Sequence, residues 1–176
     1  MAPAQTSLLA KLDTQERVRD FLTNAVASGR ASHAYLFLGA PGAGKLDAAW
    51  ALAQAFLCEQ DGCGSCDSCV RVARHTHPDV HYYTPESATG YLIAQTRELL
   101  DDVPLAPIRA KAKVYIIDRA EQLRANTANA LLKTLEEPPE GVMFILLGTS
   151  ADVMLPTIVS RCQCCLLYSS PSPRDA

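Results

Sequence analysis

Residues 33–46 read His33-Ala-Tyr-Leu-Phe-Leu-Gly39-Ala-Pro-Gly42-Ala-Gly44-Lys45-Leu46. The apolar run Ala34 to Leu38 leads straight into a glycine loop, as a buried parallel strand would. Gly39, Gly44 and Lys45 fit the pattern G-x-x-x-x-G-K, with Gly42 inside it. Such glycines let successive backbone N–H groups turn toward an anion, and the lysine adds charge. Leu46 to Leu57, rich in Ala and Leu and carrying Trp50, reads as the helix whose N-terminus completes a phosphate cradle. The strand before and the helix after distinguish the motif from a plain glycine-rich turn. The residue after the lysine is normally Ser or Thr, whose hydroxyl helps to hold magnesium. Leu46 has no oxygen, so the cradle is present in outline and its metal half is not.

Outward from this loop, strands and helices alternate. Thr14 to Ser28 has Val18, Phe21, Leu22 and Ala25 at helical spacing and Gly29 as its stop. Val80 to Tyr83 is a candidate strand, and Tyr91 to Asp102 a helix closed by Pro104. Lys113 to Asp118 reads as a β-branched strand ending in an acid. Asn126 suits the N-cap of a helix over Thr127–Glu137, which Pro138-Pro139 ends. Val142 to Leu147 is a further apolar strand. The pattern predicts an α/β fold, a mainly parallel sheet covered by helices on both faces. Working residues then gather at the carboxyl ends of the strands. The glycine loop, Asp118, Thr149-Ser150 and the loop leading to Arg161 are all expected there.

Asp118 stands where a phosphoryl-transfer enzyme places its magnesium-associated acid. It equally suits a strand end or a helix cap. The residue after it is Arg119, where a hydrolytic site of this type has a glutamate to polarise water; Glu121 lies three residues beyond Asp118. The losses at Leu46 and Arg119 both predict weak or absent hydrolysis.

Cys58-x4-Cys63-x2-Cys66-x2-Cys69 places four thiols within twelve residues. A short loop of that spacing folds around a tetrahedral zinc ion, which stabilises a segment almost without apolar residues. Its first three cysteines also match plant-type [2Fe–2S] spacing, whose fourth ligand comes from far along the chain; the nearness of Cys69 favours zinc. His75, His77 and His81 are expected to be surface or packing residues, since four thiolates already fill such a site.

Composition is that of a globular chain: 176 residues, 48% hydrophobic, 20% charged, net charge −3. The acidic balance argues against autonomous nucleic-acid binding, so any DNA contact is expected to depend on partners. No uncharged apolar stretch approaches the ~20 residues of a membrane helix. Met1-Ala-Pro-Ala-Gln5 has neither the basic start nor the apolar run of a signal peptide. Clustered cysteines without a secretion signal read as metal ligands rather than disulfides.

His33-Ala-Tyr-Leu-Phe37, the glycine loop, the four cysteines, Thr76-His-Pro-Asp79, Lys113-Val-Tyr-Ile-Ile-Asp118, Asn129-Ala-Leu-Leu-Lys-Thr-Leu-Glu-Glu-Pro138 and Ser160-Arg-Cys162 occur in one order. Together, over about residues 10–164, they resemble the N-terminal AAA+ domain of the bacterial DNA polymerase III clamp loader. The resemblance implies a RecA-like AAA+ P-loop fold over residues 1–164 with a zinc-binding insertion at 58–81. It implies a role in loading the sliding clamp onto primed DNA. Gamma/tau and delta subunits would be partners, and the location would be cytoplasmic, at the nucleoid-associated replisome. Two kinds of subunit share the pattern. The gamma/tau motors resemble active ATPases, with Thr after the loop lysine and Asp-Glu at the strand end. Delta prime has an impaired site but keeps Ser-Arg-Cys. Leu46 and Arg119 resemble delta prime, and a gamma/tau-like ATP-hydrolysing motor is the alternative. The resemblance also implies that Arg161 reaches in trans into the ATP site of a neighbouring motor subunit. Read without it, Arg161 is a surface or ion-pair arginine. Thr149 matches the family's first sensor position and equally suits a strand-end turn. Gly39, Gly42, Gly44, Lys45, Leu46, Asp118 and Thr149 would then line a degenerate nucleotide site that takes ATP or ADP weakly.

Residues 165–176, Cys-Leu-Leu-Tyr-Ser-Ser-Pro-Ser-Pro-Arg-Asp-Ala, do not resemble the family. They resemble, with one serine difference, the conceptual translation of a sequencing-library adapter, and are expected to be non-native. A natural Pro/Ser-rich tail is the other reading. The family's lid and collar domains are not expected within this sequence.

Overall fold

The computed structural model describes residues 7–168. Five strands form one parallel sheet: β1 (Ala34–Leu38), β2 (Val80–Tyr83), β3 (Lys113–Ile117), β4 (Val142–Gly148) and β5 (Gln163–Leu166). Their order is β2-β3-β4-β1-β5. The helices are α1 (Glu16–Ala27), α2 (Lys45–Leu57), α3 (Asp67–Ala73), α4 (Ile93–Asp102), α5 (Ala125–Glu136) and α6 (Pro156–Val159).

Every residue of β1, β3 and β4 is buried, which is why these strands read as unbroken apolar runs. Alternation sorts their side chains to two layers. Tyr35, Phe37, Val114, Ile116, Met143 and Ile145 pack with α1, α2 and Val72 of α3. Leu36, Leu38, Tyr115, Ile117, Phe144 and Leu146 pack with α4, α5 and α6. The chain moves outward from β1 to β2 by way of α2 and α3, then returns through β3 to β4 by way of α4 and α5. Reversing direction while keeping crossover handedness puts the two helix pairs on opposite faces.

Helix α1 ends as its sequence predicts. Gly29 has φ +70°, the Gly29 amide donates to Val26 and the Arg30 amide to Ala25, a Schellman closure. The expected N-cap at Asn126 is wrong. Arg124 has the extended backbone of the cap, α5 starts at Ala125, and Asn126 lies inside the first turn. Three elements escaped the sequence reading, the short helix α6 among them. Helix α3 is nucleated by Cys66, whose sulfur accepts the Cys69 amide. Strand β5 crosses the boundary expected at residue 164, and Cys165 and Leu167 are buried in the core. Residues 169–176 of that tail lie outside the described residues. The expected insertion also runs into the sheet, because Val80 and His81 belong to β2.

The loop before β3 hangs on one carboxylate. Asp79 is fully buried and accepts the amides of Ile108, Arg109 and Ala110 at 2.6, 2.7 and 2.7 Å. Its own amide donates to His77 Nδ1 at 3.0 Å. Burial pushes the Asp79 pKa up, but the three amides outweigh it and hold it below the ordinary value. A lowered folded pKa adds stability above the unfolded value near 3.9, and that stability fades as pH falls through the folded pKa. Asp79→Asn is therefore expected to cost about 2–3 kcal/mol at pH 7. In paired urea melts of variant and wild type, that difference shrinks below about pH 4.

Candidate functional site

The glycine loop joins β1 to α2 at the carboxyl edge of the sheet. Gly42 and Gly44 have φ +84° and +89°, a backbone that L side chains rarely adopt. They turn the loop so that the N-terminus of α2 faces a cleft of about 610 Å³. Gly42, Gly44, Lys45, Leu46, Asp118, Arg119, Glu121 and Thr149 all line it. Gly39 sits at the base of the loop, where an added Cβ would meet the Leu167 carbonyl at 2.6 Å.

Within the cleft, Lys45 is already engaged. Its Nζ donates to the carbonyls of Gly39 at 2.6 Å and Gly148 at 3.1 Å. Asp118 follows β3. It accepts the Tyr82 hydroxyl at 2.9 Å and the Arg119 amide at 2.9 Å, and its carbonyl accepts the Tyr91 hydroxyl. Burial and the Asp118 carboxylate push the Tyr82 hydroxyl pKa up, so it remains a donor at neutral pH. Arg119 has φ +48°, a left-handed conformation that is uncommon for a side-chain-bearing residue. Glu121 brings a buried carboxylate oxygen, Oε2, with no hydrogen-bond partner. Two cations, Lys45 and Arg119, face three acids, Asp47, Asp118 and Glu121. That balance does not by itself favour a polyphosphate. Sequence reading missed Tyr82 and the unpaired oxygen of Glu121, because neither belongs to a linear motif.

Arg161 lies elsewhere. The loop that leads to it leaves the carboxyl end of β4, but Arg161 comes after α6 and just before β5. Gln163, the first residue of β5, pairs with Tyr35 near the start of β1. Arg161 therefore stands at the amino edge of the sheet, across the domain from Lys45. It is ion-paired with Glu136 at 2.5 Å.

The four cysteines converge on a point. Their Sγ atoms all lie within 4.8 Å of one another. The pairs Cys58–Cys63, Cys58–Cys66 and Cys63–Cys69 are separated by 3.7, 3.8 and 3.9 Å. A tetrahedron with Zn–S bonds of about 2.3 Å requires S···S of roughly 3.8 Å, so the donor set fits that ion. Backbone amides of Gln60, Cys66 and Cys69 point at the sulfurs of Cys58, Cys63 and Cys66, a pattern that stabilises thiolates. Hydrogen bonds from the Ser65 amide and hydroxyl, and from the Cys66 amide, pull the Cys63 thiol down to about 6. Burial pushes Cys69 up instead. Four ionised thiols this close need a cation between them. The histidines are occupied otherwise: His75 stacks on Trp50 at 3.9 Å, His77 serves Asp79, and His81 lies 3.3 Å from Asp102.

The fold matches solved structures. A DNA polymerase III gamma-subunit-related protein of Thermotoga maritima superposes with TM-score 0.61 at 21% identity, over 89% of this chain and 46% of that one. The Thermotoga maritima RuvB Holliday junction branch migration motor gives 0.56 at 18% identity, over 94% and 48%. C. elegans PCH-2 gives 0.60 at 16%, over 89% and 44%. These likenesses establish the AAA+ P-loop fold. In sequence, the chain is 42% identical over 154 residues to Bacillus subtilis DNA polymerase III subunit delta prime, covering 86% of this chain and 46% of the relative. It is 43% identical over 152 residues to Escherichia coli subunit tau, covering 84% and 23%. The chain thus spans less than half the length of either relative. No helix among the described residues is long and apolar enough to cross a membrane. Residues 14–170 match the family described as DNA polymerase III, delta subunit, and the chain belongs to that family.

Proposed function

We propose that this chain is the AAA+ domain of a delta prime-type clamp-loader subunit, a non-motor part of the complex that loads the sliding clamp onto primed DNA. Gamma/tau and delta subunits are its partners in this reading. The placement of Arg161 carries it. A guanidinium at the amino edge of the sheet, with the chain's own cleft at the carboxyl edge, is able to serve a phosphate only on an adjacent subunit. The planar, permanently charged fork suits the charge that builds on a transferring phosphoryl group. The cleft supports the same reading. Leu46 offers no hydroxyl, Arg119 occupies the position of the water-polarising acid, and Asp47 and Glu121 add acids to the cleft lining. ATP or ADP binds weakly there, through Lys45 and the loop amides.

The alternative is a gamma/tau-like motor, with which the 43% identity to tau agrees as well as the 42% identity to delta prime agrees with the first reading. Steady-state ATPase assays separate the two. The chain alone is expected to hydrolyse ATP at the background rate, with Lys45→Ala making no difference. A motor-like turnover abolished by Lys45→Ala would establish the alternative.

Zinc is the ion we assign to Cys58, Cys63, Cys66 and Cys69, where it folds the local loop and takes no part in chemistry. Elemental analysis is expected to give one zinc and no iron per chain. Cys63→Ser should speed amide exchange over residues 58–75 while β1, β3 and β4 keep their protection, because the metal organises only this segment.

In the full-length subunit assembled with its partners, Arg161→Ala is expected to cut ATP turnover at the one adjacent site. Fingers supplied in trans are worth about 10³-fold or more. Arg161→Lys should rescue it incompletely, lacking the fork. Single-turnover hydrolysis in the reconstituted complex is the measurement. Wild-type firing at every site in an Arg161→Ala complex would make Arg161 structural.

A further inference from the structure

Arg161 is held in a defined pose by its own chain. Its Nε and Nη2 both donate to Glu136 Oε1, at 2.9 and 2.5 Å. Its Nη1 donates to the Thr157 carbonyl at 3.0 Å and reaches Ser160 Oγ at 3.4 Å. A guanidinium carries five N–H groups in a rigid plane. The contacts to Glu136 and Thr157 fix the Nε edge and one flank. The terminal edge keeps one N–H on Nη2 free and one on Nη1 that meets only the long contact to Ser160. That edge is the fork suited to two oxygens of a phosphate.

Glu136 is a costly residue for its own helix. It is the last residue of α5, where the negative end of the helix dipole disfavours an acid, and Glu137 follows it. The ion pair is not a strong source of stability either, since its side chains are 33% and 50% exposed. What the pair does accomplish is directional. Glu136 ends α5 and Arg161 follows α6, and the two helices pack together on one face of the sheet. The carboxylate therefore ties the arginine to a rigid element rather than to its own short turn.

We propose that Glu136 is the positioning residue for Arg161. It grips the Nε edge so that the terminal edge faces outward toward the nucleotide of the adjacent subunit. This rests on the trans role of Arg161 proposed above. Glu136 touches no substrate; it removes the rotamer search that a long, unheld arginine would undergo on docking.

The experiment uses the full-length subunit in the assembled loader, with Glu136→Ala, Glu136→Gln and Arg161→Ala compared. Single-turnover hydrolysis at the adjacent site should slow roughly 10- to 100-fold in Glu136→Ala, the loss expected from misplacing a reacting group by about 1 Å. KM for ATP, the melting temperature and assembly should be unchanged. Glu136→Gln should recover most of the rate, because its carbonyl oxygen accepts the same two N–H groups. If Glu136→Ala does not assemble, Glu136→Asp replaces it: the shorter carboxylate keeps the charge and loses the reach, so it should be slow where Glu136→Gln is fast. Wild-type or faster turnover in Glu136→Ala, with Arg161→Ala slow, overturns the positioning role and leaves the trans role standing. Equal loss in Glu136→Ala and Glu136→Gln also overturns it. Wild-type turnover in Arg161→Ala removes the trans role itself.

Discussion

All five strands run in the same direction, and that shared polarity determines where everything else lies. A parallel sheet has two unlike ends. At the carboxyl end of the strands the chain leaves β1 into a glycine loop, β3 into Asp118 and β4 into Thr149, and these three exits form one cleft. At the amino end the chain arrives: from α5 by way of Glu136 into β4, and from α6 by way of Arg161 into β5. The ends are separated by the length of β1, five residues at ~3.3 Å each, or roughly 15 Å. Cleft and arginine therefore belong to different contacts of the domain. In the reading proposed above, this separation is what lets the arginine serve the cleft of an adjacent subunit rather than its own.

The cysteine segment obeys a different constraint. Residues 58–66 have little apolar area to bury, so packing alone cannot order them. Four sulfurs brought to tetrahedral spacing provide the alternative, and the segment then joins the body of the domain through a few buried links. The Gln54 side chain donates to the Cys69 carbonyl at 3.1 Å and accepts the Leu8 amide at 2.9 Å, while Val72 enters the core beside α2. Arg109, whose backbone amide is held by Asp79, pairs its side chain with Asp67 of α3 at 3.0 Å. The cysteine segment and the loop before β3 thus brace one another around a buried carboxylate. This explains why Thr76-His-Pro-Asp79 stands so close after the cysteines.

What could be read in the sequence follows from which interactions are local. The buried strands announced themselves as apolar runs, the phosphate-type loop as glycine spacing, and the candidate metal centre as four cysteines. Each of these signals is set within about a dozen residues. The start of α5 was misplaced by two residues because Asn126 has the chemistry of a cap, whereas the backbone turns at Arg124. Helix α3 was invisible because seven residues are too few to show amphipathic periodicity, and its cap is a cysteine sulfur rather than a hydroxyl or carboxylate. The partners of the site residues were beyond reach for another reason. Tyr82 meets Asp118 across 36 residues, and Glu136 meets Arg161 across 25. Such pairs exist only once the sheet has brought their elements together.

If the cleft is degenerate, as proposed, its loop nonetheless keeps the lysine and glycines of a phosphate cradle. The geometry of Lys45 gives a physical reason. Its ammonium bridges the carbonyl of Gly39, just past β1, and that of Gly148, at the end of β4, two neighbouring central strands. The Gly148 carbonyl still accepts the Gly39 amide at 3.1 Å, and its second lone pair, like the Gly39 carbonyl, is open to a further donor. A lysine at the first turn of α2 supplies two such bonds and ties the helix to the sheet at once. The same loop that would wrap a phosphate is thereby part of the scaffold, with the glycines needed for its backbone turn whether or not an anion is present. A leucine in place of a hydroxyl-bearing residue at position 46 leaves this frame untouched. Leu46 instead packs against the core. On the function proposed above, such a site loses catalysis one residue at a time while its loop is retained, because the loop and the catalytic groups rest on different interactions.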